Sequence, residues 1–151
     1  MKNKRGPGDM AEMHRTTASL RFHGDVLDPE EISRILGVKP TTCVKKGDLW
    51  ETPRGAKITA RTGYWSLSAP NQNAGNLETQ LTEMLSLLSE DLEACRSLAA
   101  SFRGNIFVGL FLSGFNEGLS LSPTTITAIG LRGLTLDIDV YSGGDLDQQI
   151  A

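Results

Sequence analysis

A chain of 151 residues, 39% hydrophobic and 22% charged, has the composition of one ordinary globular domain, long enough to bury a single core. Its net charge of −3 argues against a dedicated nucleic-acid binder, which carries a basic footprint over the whole domain. No apolar run approaches the ~20 residues of a membrane span. The two cysteines, Cys43 and Cys95, lack metal-type spacing, and the basic opening MKNKRGPGDM is followed by no apolar segment, so the expected compartment is the cytoplasm.

Residues 1–15 are polar, with Gly6-Pro7-Gly8, and read as a disordered leader. A first strand is expected over 16–23, where Ala18, Leu20 and Phe22 alternate with Ser19, Arg21 and His23. The stretch LDPEEISRILG then writes a short helix. Asp28 caps it, Pro29 takes the first helical position, and Glu31 is placed to reach back to the cap. Ile32, Ile35 and Leu36 make the apolar stripe, and Gly37 is the left-handed stop. A short strand near 42–46 leads into a long loop, and GYWSLSAP is the next strand, with Trp65, Leu67 and Ala69 on the core side.

Asn76 caps a helical stretch carrying Leu77, Leu81, Met84, Leu85 and Leu88, and a break near Ser89 opens a second one through Leu98 and Phe102. NIFVGLFLSGF is apolar on both parities, as in a central strand. Its NEG turn leads to a short strand over 119–121. LSPTTITAIG then repeats the first capped helix, 94 residues later, with Ser122, Pro123, Ile126, Ile129 and Gly130 at matching places. Its first turn has no acid, so its cap should be the weaker one. Chance recurrence of capping chemistry and a duplicated strand–helix–strand unit both account for the repeat. The closing strand LTLDIDVY alternates Leu134, Leu136, Ile138 and Val140 inward with Asp137, Asp139 and Tyr141 outward, and 143–151 is an acidic tail.

This order predicts a single α+β domain over 16–142. It has a largely antiparallel sheet with helices mainly on one face, in a ferredoxin-like or duplicated split β-α-β arrangement. Together, TASLRFHGDVLDPEEISRILGVKPT, KKGD, GYWSLSAP and LTLDIDVY resemble the bacterial family catalogued as domain of unknown function 4279, over roughly 16–142. The resemblance implies a small bacterial cytosolic protein and supplies no activity.

Enzyme signals are absent from the residue pattern. His14 and His23 are too far apart for a helical zinc pair, Gly47 and Gly55 are spaced wrongly for a phosphate-binding loop, and no nucleophile elbow occurs. No cofactor, metal or membrane is expected, and nucleic acid is disfavoured. Two zones remain. On the outward sheet face, Asp137 and Asp139 lie about 6.6 Å apart, continued by Tyr141, with Arg21 and His23 beside them if the first and last strands pair. In the loop 39–61, six cations including Lys46 and Arg54 outnumber two acids around Trp50. A solvated face and a flexible loop are the bland alternatives.

The expected function is a binding module that recognises a protein or small ligand through these two zones. Alternatives are an immunity-type antagonist of a toxin and a hydrolase using the paired carboxylates. The helices carry Glu78, Glu83, Glu90, Asp91 and Glu93, opposite in sign to the loop, which also allows a homodimer.

Overall fold

The structure, a computed structural model, describes residues 15–70 and 75–142. The expected leader and acidic tail therefore lie outside the described residues, apart from Arg15. Element order is β1 (Arg15–Gly24), α1 (Pro29–Leu36), β2 (Thr42–Val44), β3 (Leu49–Glu51), β4 (Lys57–Thr59), β5 (Gly63–Ser68), α2 (Leu77–Ser86), α3 (Leu92–Ser101), β6 (Asn105–Phe111), α4 (Pro123–Leu131) and β7 (Thr135–Tyr141). Five strands form one sheet in the order β2-β5-β1-β6-β7, and β3 and β4 form a separate hairpin. Every pairing in the sheet is antiparallel except β6 with β7. This is an α+β fold, and its sheet is mixed but mostly antiparallel.

Strand β1 sits in the middle and its alternation splits the molecule. Leu20 and Phe22 are fully buried against the helices, joined by Trp65 of β5 and Ile106 and Val108 of β6. Helix α1 contributes Ile32 and Leu36, α2 Leu81 and Met84, and α3 Leu98 and Ala99 to the same core. Two polar contacts fix the layers. Trp65 Nε1 donates to Ser33 Oγ of α1 at 3.0 Å. In the interior, Gln80 of α2 donates through Nε2 to the Thr16 carbonyl at 2.8 Å and accepts from Thr16 Oγ1. Neither buried polar group is left without a partner, which keeps their burial inexpensive.

The caps mostly follow the sequence. Asp28 accepts from Glu30 N–H, Pro29 opens α1, and Gly37 at φ 72° closes it. Glu31 does not reach back to the cap; it pairs with Arg34 along the helix. Asn76 caps α2, but α3 is capped by Asp91, two residues after the expected start at Ser89. Helix α4 departs further. It runs past Gly130 to Leu131, and the left-handed glycine is Gly133. It buries Thr125 and Ile129 and leaves Ile126 exposed. At its start stands Glu78 of α2, whose carboxylate accepts from Ser122 N–H at 3.1 Å, Ser122 Oγ and Thr125 Oγ1. A negative charge thus reaches the positive end of α4 from another helix, offsetting the missing acids of its own first turn.

Three further expectations are corrected. Residues 119–121 form no strand, because Glu117 ties back to Ser113 and Gly114 N–H groups and Leu119 and Leu121 pack under the core. The long loop contains the β3–β4 hairpin. On β7, Ile138 (51%) and Val140 (59%) are exposed, not inward, because the core reaches this outermost strand only at Leu136.

Hydrogen bonds from Ser122 and Thr125 hold the Glu78 carboxyl below the ordinary value of 4.5. A depressed carboxylate stabilises the fold above its unfolded pKa and loses that contribution as pH falls through the folded one. Glu78→Gln should therefore cost about 1 kcal/mol at pH 7, the usual worth of a helix cap. In urea melts, that gap between wild type and variant should close as the pH is lowered below 4.5.

Candidate functional site

The hairpin owes its shape to the turn Thr52-Pro53-Arg54-Gly55. Gly55 N–H donates to the Thr52 carbonyl at 2.8 Å, Pro53 presets the turn, and Gly55 takes φ 80°. At its base, Gly47 N–H bonds the Ala60 carbonyl and Ala60 N–H bonds the Asp48 carbonyl, each at 2.8 Å. Trp50 and Ile58 are register partners and share a face of the hairpin. That face turns to the sheet, where the Trp50 ring stacks on Tyr64 of β5 with centroids 5.7 Å apart at 20°. Tyr64 lies opposite His23 in the register, and their rings are 5.0 Å apart.

The hairpin and the open side of the sheet thus enclose a cleft of ≈ 730 Å³. Arg21, His23 and Tyr64 form its floor, Trp50 and Ile58 one wall, and the segment Ala60–Thr62, with Arg61, the rim. Among the described residues, its lining contains two arginines and no carboxylate. Arg21 is held rather than free: its Nε donates to Ser19 Oγ at 2.9 Å, and its guanidinium lies 4.1 Å over the Phe107 ring. His23 is pushed below the ordinary 6.5, first by burial and then by the positive charges of Arg21 and Arg103. It is neutral at pH 7, so the positive charge of the cleft comes from the arginines.

The structure brings together Arg21, His23 and Trp50 among the residues expected from sequence. It does not bring Asp139 and Tyr141 to them, and Asp137 meets His23 only along a separate hollow of ≈ 430 Å³ outside the cleft. Strand β1 pairs with β6, not β7, so Asn105 and Phe107 stand between the two groups on the shared face. There Asp137 accepts from Asn105 Nδ2 at 2.6 Å, and Asp139 accepts from the Tyr141 hydroxyl at 3.1 Å, which raises the Tyr141 pKa. Tyr141 stacks on Phe111 at 4.7 Å, and Arg15 covers the Phe111 ring. Lys46 is engaged by Asp25 at 3.0 Å outside the cleft, and Arg54 projects from the hairpin tip. Tyr64 and Ile58 also belong to the cleft, together with Arg61, one of the six loop cations. The signal for them was TPRG, a turn flanked by the two strand-like triplets Leu49-Trp50-Glu51 and Lys57-Ile58-Thr59. Among the described residues, no group of three or more His, Cys, Asp or Glu side chains could hold a metal ion, and no helix is long and apolar enough to cross a membrane.

The family model described as Domain of unknown function (DUF4279) matches residues 14–143. The chain belongs to this family. No curated protein and no solved structure matches it. For this DUF4279 domain, the matched span runs from the start of β1 to just beyond β7, so both the cleft and the β7 face fall inside it.

A neutral His23 favoured by the fold means stability is lost as pH drops below the unfolded value of 6.5. In an NMR titration the His23 ring should titrate below 6.5, and Arg103→Gln should move its midpoint upward.

Proposed function

We propose that this DUF4279 domain is a binding module, and that the cleft under the β3–β4 hairpin takes a small ligand combining a flat ring with an acidic group. The supporting observation is the lining itself: an aromatic stack of Trp50 on Tyr64, two arginines and no acid, around ≈ 730 Å³. Ligand sites have this size and this character, mostly apolar walls with a few convergent polar groups. Guanidinium groups recognise carboxylate and phosphate in a bidentate manner. Arg21 is pre-positioned by Ser19 and Phe107, which lowers the entropy lost on binding. A partner protein would use the same chemistry by inserting an acidic side chain. Our reading is non-enzymatic, since the paired carboxylates Asp137 and Asp139 sit outside the cleft, each engaged by a neighbouring side chain.

Two further readings accompany this one. The order β2-β5-β1-β6, with helices crossing between β1 and β2 and between β5 and β6, supports a ferredoxin-like core extended by α4 and β7. Two unpaired cysteines, Cys43 and Cys95, support a cytoplasmic setting.

NMR titration with benzoate and adenosine 5′-monophosphate, against neutral benzamide and adenosine, tests the function. The acids should shift the Trp50 indole N–H and the His23 and Arg61 amides saturably, and the neutral analogues should bind at least about tenfold more weakly, about 1.4 kcal/mol. Trp50→Ala should weaken the acids by a similar factor. Equal responses to acid and neutral probes, or responses confined to residues away from the hairpin, would contradict the reading.

A further inference from the structure

We infer that the free edge of β7 is a docking edge for an extended basic segment of a partner protein, added as a sixth strand. This is independent of the cleft. Among the described residues, strand β7 is the last in the sheet; it is seven residues long, without proline, and its register with β6 is unbroken from Thr135 to Tyr141. Thr135 N–H donates to the Gly104 carbonyl at 3.2 Å, and the Tyr141 carbonyl accepts from Leu112 N–H at 3.0 Å. Odd-numbered residues therefore spend their backbone groups on the β6 side. Leu136, Ile138 and Val140 present theirs outward, three N–H and three C=O groups in a row. The opposite edge of the sheet, β2, is only three residues long.

The side chains say what would fit. Ile138 and Val140 are exposed on the helix side, whereas Asp137 and Asp139 are exposed on the other, with neither acid in an ion pair among the described residues. A partner strand alternating cations with apolar residues would meet carboxylates on one face and cover Ile138 and Val140 on the other. Charge complementarity excludes two nearer candidates, a second copy and the chain's own acidic end. A second copy pairing edge to edge would set its Asp137 and Asp139 beside ours, like charges on neighbouring strands. The chain beyond Ser142 carries Asp145 and Asp147 and no cation. Acidic residues on an edge strand suppress self-pairing; here they do so while leaving the edge open to a basic strand.

The probe is a fluorescein-labelled seven-residue peptide alternating lysine and valine, with a glutamate–valine peptide as its control, read by fluorescence anisotropy on the full chain. The lysine peptide should bind saturably and the glutamate peptide should not. Asp137→Lys combined with Asp139→Lys should weaken the lysine peptide at least tenfold and admit the glutamate peptide. Ile138→Pro removes only an outward N–H, so it should weaken binding about as much while leaving the circular dichroism unchanged. If that variant does not fold, wild-type hydrogen exchange decides: the peptide should slow the Leu136, Ile138 and Val140 amides and leave those of Asp137 and Asp139 unaffected. Binding with no protection of the outward amides, no binding at all, or a concentration-dependent dimer protecting the same edge would each overturn the inference.

Discussion

The placement of β1 between β5 and β6 is the constraint on which the rest of the molecule depends. Hydrogen-bonded on both sides, β1 has no freedom of register, and its two-residue period sends Leu20 and Phe22 to the helices and Arg21 and His23 to the opposite side. A one-residue slip would exchange these sets and put an arginine and a histidine into a dry core. The Phe22–Trp65 edge contact, with centroids 5.7 Å apart, and the Trp65–Ser33 hydrogen bond extend that choice to β5 and α1. Everything on the open face, including the floor of the cleft, inherits its position from this alternation.

The polar residues of the helix layer act mainly as fasteners. Gln80 links α2 to β1 through Thr16, and Glu78 links α2 to the start of α4. An acidic helix surface is usually a solvated one, and Glu83, Glu90 and Glu93 are exposed here. Glu78 and Asp91 are different: each accepts N–H groups at the start of a helix, one in trans and one as its own cap. Helices α1 and α4 are similar in role, each carrying the chain between parallel strands, but α1 is capped by its own Asp28 and α4 is anchored by Glu78 of α2.

Periodicity and capping chemistry made β1, α1, β5 and the α2–α3 break legible, because each is a local signal of several residues. The buried Trp65 followed from sharing parity with Leu67. Three-residue strands such as β3 and β4 leave too short a pattern to read, and only the TPRG turn marked them. Parity also says nothing about how far a neighbouring layer extends, which is why Ile138 and Val140 look like core residues in the sequence. The candidate site was half legible for the same reason. Arg21, His23, Asp137 and Asp139 do share a face, but the insertion of β6 between their strands is a long-range fact. Trp50 was recognised as a contact residue without its partner, since the stacking on Tyr64 joins segments brought together only by the hairpin's fold onto the sheet.

The central claim is that the hairpin closes over the open face through Trp50. Nuclear Overhauser contacts from the Trp50 indole report on this directly, since a stacked pair at 5.7 Å brings ring protons of Tyr64 within range. Stacking of the two rings should give cross-peaks from Trp50 to Tyr64 and upfield shifts of the Tyr64 ring protons. An indole that shows neither, with shifts of a solvent-exposed tryptophan, would contradict it, for the cleft would then have no wall.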